Sequence, residues 1–550
     1  MAGKNKRGVA AVADLAGVKP DDRSVPKLPH PASPGSPALP PIPRRALALD
    51  ALRGLSILGM IFSGVIEPLR PELPLWMYHA QVRPHQKFDE NLAGLTWVDL
   101  VFPFFLFCLG AALPIALGGR VARGESKLSL AAGGLRRAAL LLGFSLVVAH
   151  LNPVGLAYST KNPAAFWLLG LAAYGALFAA LGRWPARWPA AARAGLSAAG
   201  WGALALFAIV AAPALGAPTA SLQRTDIIIV LLADAVAVGT AAWLLTRGRA
   251  LPKFALLGVG LAMHLARNAP GRNWLEDFTD MRPLEALVGK PAMEYVMWAF
   301  HPRYLKYLFV VIPGMMAGEW LAEWLKAPPT PAHAAGKLPA GRGGAVVLLW
   351  AAALVLTLGG LQSRQVTGTL AADAVLWALG LAAVAGAGVA SARASAAAGT
   401  GGAVCATGLL IRRLWTAGGA WLLIGILLDP YQDGIKKDNA TLSYYAVTVG
   451  LAHLTLAAFT VIADVWNRPR ALGLLSANGQ NPMIGYVTQG FLVAPLLALT
   501  GLGGLMAGWA KAGAESSGNP WPGAIPGALA TLLSALVVAW FTKRRVFWRT

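Results

Sequence analysis

His79 and Asp99 are the two residues of this sequence whose types and placement best suit chemistry. A neutral imidazole accepts a proton near neutral pH, and a carboxylate behind it fixes the tautomer and stabilises the imidazolium. The same two residues also have a plainer interpretation. In that case His79 lies at a membrane interface and Asp99 satisfies free backbone N–H groups at a helix start. The residues alone leave both interpretations open.

The composition defines the kind of structure that must position these side chains. Of the 550 residues, 56% are apolar and 13% are charged, and the mean hydropathy is +0.56. The apolar residues form runs of about 16 to 22, the length that an α-helix needs to cross a membrane. These values exclude a soluble enzyme, a disordered chain and a small secreted protein stapled by disulfides. They predict an all-α, polytopic membrane helix bundle with about 12–14 transmembrane helices.

The apolar runs place the predicted spans along the chain. They lie at about 47–66, 97–117, 135–152, 163–182, 195–212, 227–245, 254–268, 303–325, 343–361, 371–390, 414–429, 443–465, 476–499 and 523–541. The net charge is +22, and Lys and Arg are enriched in alternate loops, which predicts cytoplasmic N- and C-termini. The excess charge therefore reflects topology and attraction to anionic lipid, and we expect no nucleic-acid partner.

Two domains are predicted. Residues 1–45, rich in Pro, Ser and Lys, form a disordered cytoplasmic tail, and residues 46–550 form the integral membrane domain. His79 falls in the outside loop after the first helix and Asp99 at the outer end of the second, so both lie on the same side of the membrane. The two cysteines, Cys108 and Cys405, form no disulfide framework, and the dispersed histidines predict no metal site.

The first hairpin, residues 45–117, resembles the heparan-α-glucosaminide N-acetyltransferase family of membrane acetyltransferases. The resemblance is carried by three stretches, Asp50–Gly54, Tyr78–Ala80 and Gly94–Pro103. Two later stretches are also similar to that family: the lysine-containing loop 435–444 and residues 478–486. The tail and much of the middle of the chain show no such similarity.

The resemblance implies acetyl transfer from cytoplasmic acetyl-CoA to an amine on the other side of the cytoplasmic membrane. The acceptor in that family is usually an amino sugar or glycan. The family's catalytic histidine corresponds to His79, which would act as a base or as an acetyl carrier, with Asp99 behind it. Two features depart from the family. Gly64, beside Ser63, stands where the family often has an Asn, and the loop carries a second histidine, His85.

The phosphate groups of CoA should meet cations near the inner face of the membrane. Arg53, Arg136 and Arg137 are the nearest such residues to the hairpin, and Asn478 and Asn481 could add amide contacts. For Arg53 the plainer interpretation is an ion pair with Asp50, three residues earlier in the helix.

Two other classes of function are compatible with the sequence. A secondary transporter or flippase for a polar solute fits 12 to 14 helices that carry buried acids such as Asp234 and Asp373. An O-acyltransferase of another membrane family, acting on an exported glycan, is the third reading. In each case the lipid bilayer is a partner, and a homodimer is left open.

Overall fold

The computed structural model describes residues 45–66, 73–82, 87–157, 162–268, 271, 273–327, 340–367 and 406–548. Several features expected from the sequence lie outside these residues. They are the tail before Arg45, the span at 371–390, and His85, Asp373 and Cys405.

Twenty-one α-helices make up most of the described residues. In chain order, α1 to α12 are Leu47–Ile66, Trp97–Ala122, Lys127–Leu151, Pro153–Ala157, Pro163–Leu181, Ala190–Leu206, Ala212–Ala214, Ile227–Thr246, Ala250–Asn268, Trp274–Thr279, Arg282–Val288 and Lys290–Met297. Helices α13 to α21 are Leu308–Lys326, Ala340–Thr367, Ala406–Leu428, Leu442–Thr460, Gly473–Gln480, Pro482–Thr488, Ala494–Leu499, Leu502–Ser517 and Ile525–Lys543.

Short 3-10 and π segments connect or extend these helices. The 3-10 turns are Leu75–Met77, Pro302–Tyr307, Asp429–Gln432, Pro469–Leu472 and Trp521–Ala524. The π segments are Phe207–Ala211, Val461–Val465 and Gln489–Val493. Extended pairing within the described ranges is limited to an isolated bridge between Gly182 and Trp548.

The chain is a multi-pass helical membrane protein, as the sequence predicts. Within the described part of the chain, twelve helices are long and apolar enough to cross a membrane. They agree with twelve of the fourteen predicted spans. The other two differ: the helix over 254–268 is too short, as the apolar helix Ala250–Ala266, and 371–390 is not described. The predicted all-α, polytopic bundle is confirmed.

Glycines bring the helices around the first hairpin into backbone contact. A Cβ atom on Gly54 of α1 would overlap the carbonyl oxygen of Leu475 in α17, and one on Gly479 would overlap the carbonyl oxygen of Asp50. A Cβ atom on Gly110 of α2 would likewise overlap a backbone oxygen of α13. Small residues are the usual means of close approach between membrane helices, where lipid tails are as apolar as the side chains.

The bundle has two ends that are used below as reference points. At one end, Ile66 of α1 packs with Tyr78 and with Ala524, which precedes α21. We call this the His79 end. At the opposite end, Arg53 near the start of α1 lies beside residues 478–481, and α21 finishes there with Thr542 bound to Asn481. We call this the Arg53 end.

Candidate active site

His79 and Asp99 are in direct contact at the His79 end. Nδ1 of His79 lies 2.8 Å from Oδ1 of Asp99. The Asp99 side chain is 1% exposed, whereas that of His79 is 34% exposed. Because an ionised carboxylate can only accept a hydrogen bond, the contact requires that Nδ1 donates, which leaves Nε2 as the acceptor nitrogen. The structure therefore brings together the two residues that the sequence predicted to be within reach.

Asp99 is held by the start of its own helix and by the loop that carries His79. It is the third residue of α2, and its Oδ2 accepts the backbone N–H of Thr96 at 3.0 Å in a capping box. The same oxygen accepts the backbone N–H of Ala80 at 3.2 Å. Both donors are groups that a helix start or a loop would otherwise leave without a partner. Oδ2 is thus occupied by backbone, and Oδ1 is directed at the imidazole.

Lys437 completes the cluster from the far part of the chain. Its Nζ lies 3.1 Å from Nδ1 and 3.5 Å from Nε2 of His79, and 3.9 Å from Oδ1 of Asp99. The sequence analysis identified the loop containing Lys437 by resemblance but assigned this lysine no role. The only signal in the sequence was a positively charged residue in this loop. The sequence does not show that Lys437 contacts His79, because the two residues are 358 positions apart in the chain.

Hydrogen bonds from side chains and backbone fix the Lys437 loop against the first hairpin. Gln81 accepts the N–H of Asp438 at 2.9 Å and donates to its carbonyl oxygen at 3.0 Å. Gly94 donates to the carbonyl oxygen of Ile435 at 2.8 Å. The Tyr444 hydroxyl donates to the Asp99 carbonyl oxygen, also at 2.8 Å. These contacts lie on both sides of Lys437, so its ammonium is positioned by the fold.

Arg53 lies at the opposite end and connects three helices. It donates to the carbonyl oxygens of Gly479 at 3.2 Å and Cys108 at 3.4 Å. Its guanidinium is 3.7 Å from Asp50, which is bound more closely by Arg45 at 2.6 Å. The expected pair with Asp50 is therefore present but long, and the side chain is 16% exposed. Arg53 keeps part of its charge available at this end.

Arg137 lies near Arg53 and near a further arginine, Arg183. The guanidinium of Arg137 on α3 is close enough to feel the charges of Arg53 and of Arg183, which follows α5. Arg136 and Arg137 are both exposed, but adjacent helical residues point about 100° apart. Arg53, Arg137 and Arg183 form what we call the arginine cluster. Arg183 was missed by sequence reasoning because it lies in a different loop.

Asn478 and Asn481 hold the last helix in place. Nδ2 of the fully buried Asn478 donates to the carbonyl oxygen of Ala535 at 3.1 Å. Nδ2 of Asn481 donates to Thr542 Oγ1 and to the Val546 carbonyl oxygen, each at 2.9 Å. Both amide NH₂ groups are thus engaged within the protein. Their predicted contact with CoA stays a prediction.

A small apolar cavity lies between the arginine cluster and the His79 end. Its walls are Ile57, Met60, Phe105, Leu141, Phe144, Ile228, Ile229, Leu232, Pro482, Met483 and Tyr486. On α1, Ile57 follows Arg53 by one helical turn, and on α3, Leu141 follows Arg137 by the same spacing. Cationic side chains and cavity walls therefore share the same faces of both helices.

Gly64 stands where the acetyltransferase family that the first hairpin resembles often has an Asn, and the space around it is empty. Gly64 is exposed, and a Cβ atom placed on it would meet no heavy atom within 4 Å. Ser63 beside it donates to the carbonyl oxygen of Met60 at 2.9 Å. Across the described ranges, no group of three or more His, Cys, Asp or Glu side chains is arranged to hold a metal ion.

Comparison with known proteins adds one finding. A family model described as a domain of unknown function (DUF5009) matches residues 45–321, half of the chain. The matched part contains His79, Asp99 and the arginine cluster, whereas Lys437 lies beyond it. The search of curated proteins found no match.

Proposed function

The chain belongs to the DUF5009 family, whose function is unknown, and from the geometry of the site we propose that it is a membrane-embedded acetyltransferase. It would transfer the acetyl group of cytoplasmic acetyl-CoA to an amine, of an amino sugar or glycan, on the other side of the membrane. The observation that carries the proposal is the His79–Asp99–Lys437 cluster at the end opposite the arginine cluster. The resemblance of the first hairpin to heparan-α-glucosaminide N-acetyltransferases supports the same assignment.

The chemistry of the cluster follows from its hydrogen bonds. With Nδ1 donating to Asp99, Nε2 of the neutral ring keeps its lone pair, which lies 3.5 Å from the Lys437 ammonium. Nε2 either takes a proton from the attacking amine or takes the acetyl group itself before passing it on. In the direct route the amine forms the N–C bond, the C–S bond of the thioester breaks, and the amine's proton passes through Nε2 to the CoA thiolate. In the covalent route Nε2 forms an N–C bond as the C–S bond breaks and the CoA thiolate leaves. The amine then displaces the acetyl group from Nε2, and the proton that the amine loses stays on the imidazole. Asp99 stabilises the positive charge that the ring acquires.

Lys437 suits the negative charge that this reaction develops. Its ammonium is 3.5 Å from Nε2, so it lies near the place where the thioester oxygen would become an oxyanion. A fixed cation at such a position acts in the transition state more than in the ground state. In this proposal, the contacts that hold the Lys437 loop keep its ammonium near the reacting atoms.

The donor would enter from the Arg53 end. CoA carries several phosphate charges, and arginine is the side chain best suited to bind them. Arg53, Arg137 and Arg183 supply three positive charges there, and the apolar cavity begins one turn further into the bundle. This arrangement suits a cofactor with a charged head and a thin arm. It requires the Arg53 end and both termini to be cytoplasmic, in a cytoplasmic membrane.

Radiolabelled acetyl-CoA offered with a panel of amino sugars tests the proposal. The purified full chain should produce N-acetylated sugar, and His79→Ala should bind acetyl-CoA but form no product. If the parent protein neither binds acetyl-CoA nor acetylates any amine or hydroxyl acceptor, the assignment is wrong. Acetylation of hydroxyl acceptors alone would favour the O-acyltransferase reading.

The orientation has its own test. In a background with Cys405→Ala, Asp438→Cys at the exposed His79 end should react with an impermeant thiol reagent from outside intact cells. Arg545→Cys, exposed at the other end, should react only after the membrane is opened. The reverse pattern would place His79 on the cytoplasmic side and contradict the proposed direction of transfer.

One observation favours the transporter reading as the second candidate. Asp234 is buried in α8, and its Oδ2 has no hydrogen-bond partner among the residues that the structure describes. Intramembrane acids of this kind commonly mark solute or proton pathways. Uptake or export of a polar solute by reconstituted protein without acetyl-CoA, lost in Asp234→Asn, would establish that reading. Acetyl transfer that Asp234→Asn leaves intact would count against it.

A further inference from the structure

A second basic surface lies at the Arg53 end, outside the arginine cluster. It is formed by four exposed cations, Arg187, Lys543, Arg544 and Arg545, and we call it the basic surface. Arg187 follows the candidate span Pro163–Leu181, and the other three close the candidate span Trp521–Lys543. The basic surface thus lies where two helices leave the membrane.

Backbone pairing joins the two segments. Arg183 donates its N–H to the carbonyl oxygen of Phe547 at 2.9 Å, and Gly182 bridges to Trp548. Phe178 of α5 packs against Phe541 of α21, with ring centroids 4.9 Å apart. The cations of the two segments therefore belong to one surface that the fold holds together.

Aromatic rings flank the cations. Trp184 and Trp188 stack with centroids 5.5 Å apart and an interplanar angle of 4°. Arg544 lies over Trp540, 5.6 Å from the ring centroid. Trp188 and Trp540 remain 39% and 54% exposed. Exposed tryptophans of this kind are enriched at the headgroup level of membranes, so they fix the depth of the basic surface.

Charge balance separates the basic surface from other cations at this end. Arg120 binds Glu125 at 2.6 Å, Arg413 binds Glu323 at 2.6 Å, and Lys253 binds Glu319 at 2.9 Å. By contrast, the sequence has no acid between Glu125 and Asp226 or after Glu515. Four exposed positive charges with no acid in their own segments can attract an anionic partner from outside the chain.

We propose that the basic surface binds the headgroups of anionic phospholipids. Clusters of Lys and Arg directly beside membrane spans attract acidic lipids, with each cation contributing to the affinity. The guanidinium groups supply hydrogen bonds to phosphate oxygens, and the tryptophans contact the upper part of the acyl chains. The ligand is a lipid because the cations and the rings lie together at the membrane boundary. The proposal does not depend on acetyl transfer.

Native mass spectrometry of the delipidated full chain tests this directly. Phosphatidylglycerol should form adducts that phosphatidylcholine with the same acyl chains does not form. Arg544→Gln/Arg545→Gln should weaken phosphatidylglycerol binding about tenfold, and Arg544→Lys/Arg545→Lys should retain most of it. The matched control is Arg120→Gln/Arg413→Gln, which removes two cations that are paired with Glu125 and Glu323 and should change binding less than twofold.

Three outcomes would overturn the proposal. Adducts could persist unchanged in Arg544→Gln/Arg545→Gln, or the control could lose as much binding as that variant. Alternatively, acetyl-CoA could displace phosphatidylglycerol while the Gln variant also loses acetyl-CoA. In that case the surface would belong to the donor site. Equal thermal melting of the Gln and Lys variants establishes that folding does not explain a loss.

Discussion

The charged side chains at the two ends of the bundle differ in how far they are paired with other groups of the protein. At the His79 end, both carboxylate oxygens of Asp99 are engaged by protein groups, and Lys437 lies beside both the carboxylate and the imidazole. At the Arg53 end, Arg137 lies near both Arg53 and Arg183. The nearest acid, Asp50, binds Arg45 more closely than Arg53. One end is satisfied internally, whereas the other carries uncompensated positive charge.

This difference indicates what each end is for. Contacts within the protein alone orient the side chains of the His79–Asp99–Lys437 cluster. Such a cluster is preorganised, which is what groups that act in a transition state require. A cluster of like charges is destabilising until an anion arrives, so it is suited to binding. Chemistry at the first end and recognition of a charged donor at the second therefore make different predictions for substitution.

The largest effect is expected for His79→Ala. Loss of a positioned acid–base group typically lowers the rate about 10²- to 10⁴-fold, and more if the acetyl group is carried on the ring. Binding of acetyl-CoA and thermal stability should change little, because His79 lies in a loop and is partly exposed. Turnover and donor binding are measured separately. His85→Ala is the control and should keep its activity. If His85→Ala is inactive while His79→Ala keeps full turnover, the assignment of His79 is wrong.

Asp99→Asn should lower turnover less, by about 10- to 10²-fold. The amide keeps an acceptor oxygen, but it removes the charge that stabilises the imidazolium. If the amide oxygen stays at the N–H groups of Thr96 and Ala80, the NH₂ group faces Nδ1 of His79 and cannot accept its proton. A fall in melting temperature should accompany the loss of rate. Full activity with full stability would show that the carboxylate is dispensable.

Lys437→Met should lower turnover about tenfold without altering acetyl-CoA affinity. The expected cause is loss of a cation near the developing oxyanion. Lys436→Met is the matched control, since this neighbouring lysine is equally half-buried but is not hydrogen-bonded to His79 through its ammonium. An equal effect of both substitutions would mean that the loop fold, and not the Lys437 ammonium, matters for the reaction.

The smallest effect is expected at the Arg53 end. Arg137→Gln should weaken acetyl-CoA binding about fivefold while the rate at saturating donor stays unchanged, because one of several phosphate contacts is lost. The dependence of donor affinity on ionic strength should also become shallower. Arg136→Gln serves as the control and should leave affinity within twofold. If Arg136→Gln weakens acetyl-CoA binding more than Arg137→Gln does, the donor contacts a different face of α3 from the one proposed.

Much of the membrane architecture could be predicted because its cause is local. A run of about 20 apolar residues must be a helix in lipid, whatever its neighbours are. The predicted span at 254–268, which is not among the twelve candidate spans, shows the limit of that argument. The chain there forms the helix Ala250–Asn268, but its apolar part, Ala250–Ala266, is shorter than any of the twelve candidate spans.

The sequence by itself determined the helical bundle, the capping box of Thr96 and Asp99, and the nearness of His79 to Asp99. Each depends on residues within about 20 positions and on the backbone needs of one helix start. Only the tertiary structure decided that Lys437 joins His79 and that Arg183 joins Arg53 and Arg137. It also showed that Asn478 and Asn481 hold α21. Such contacts depend on which helices pack together, and local periodicity carries no information about that choice.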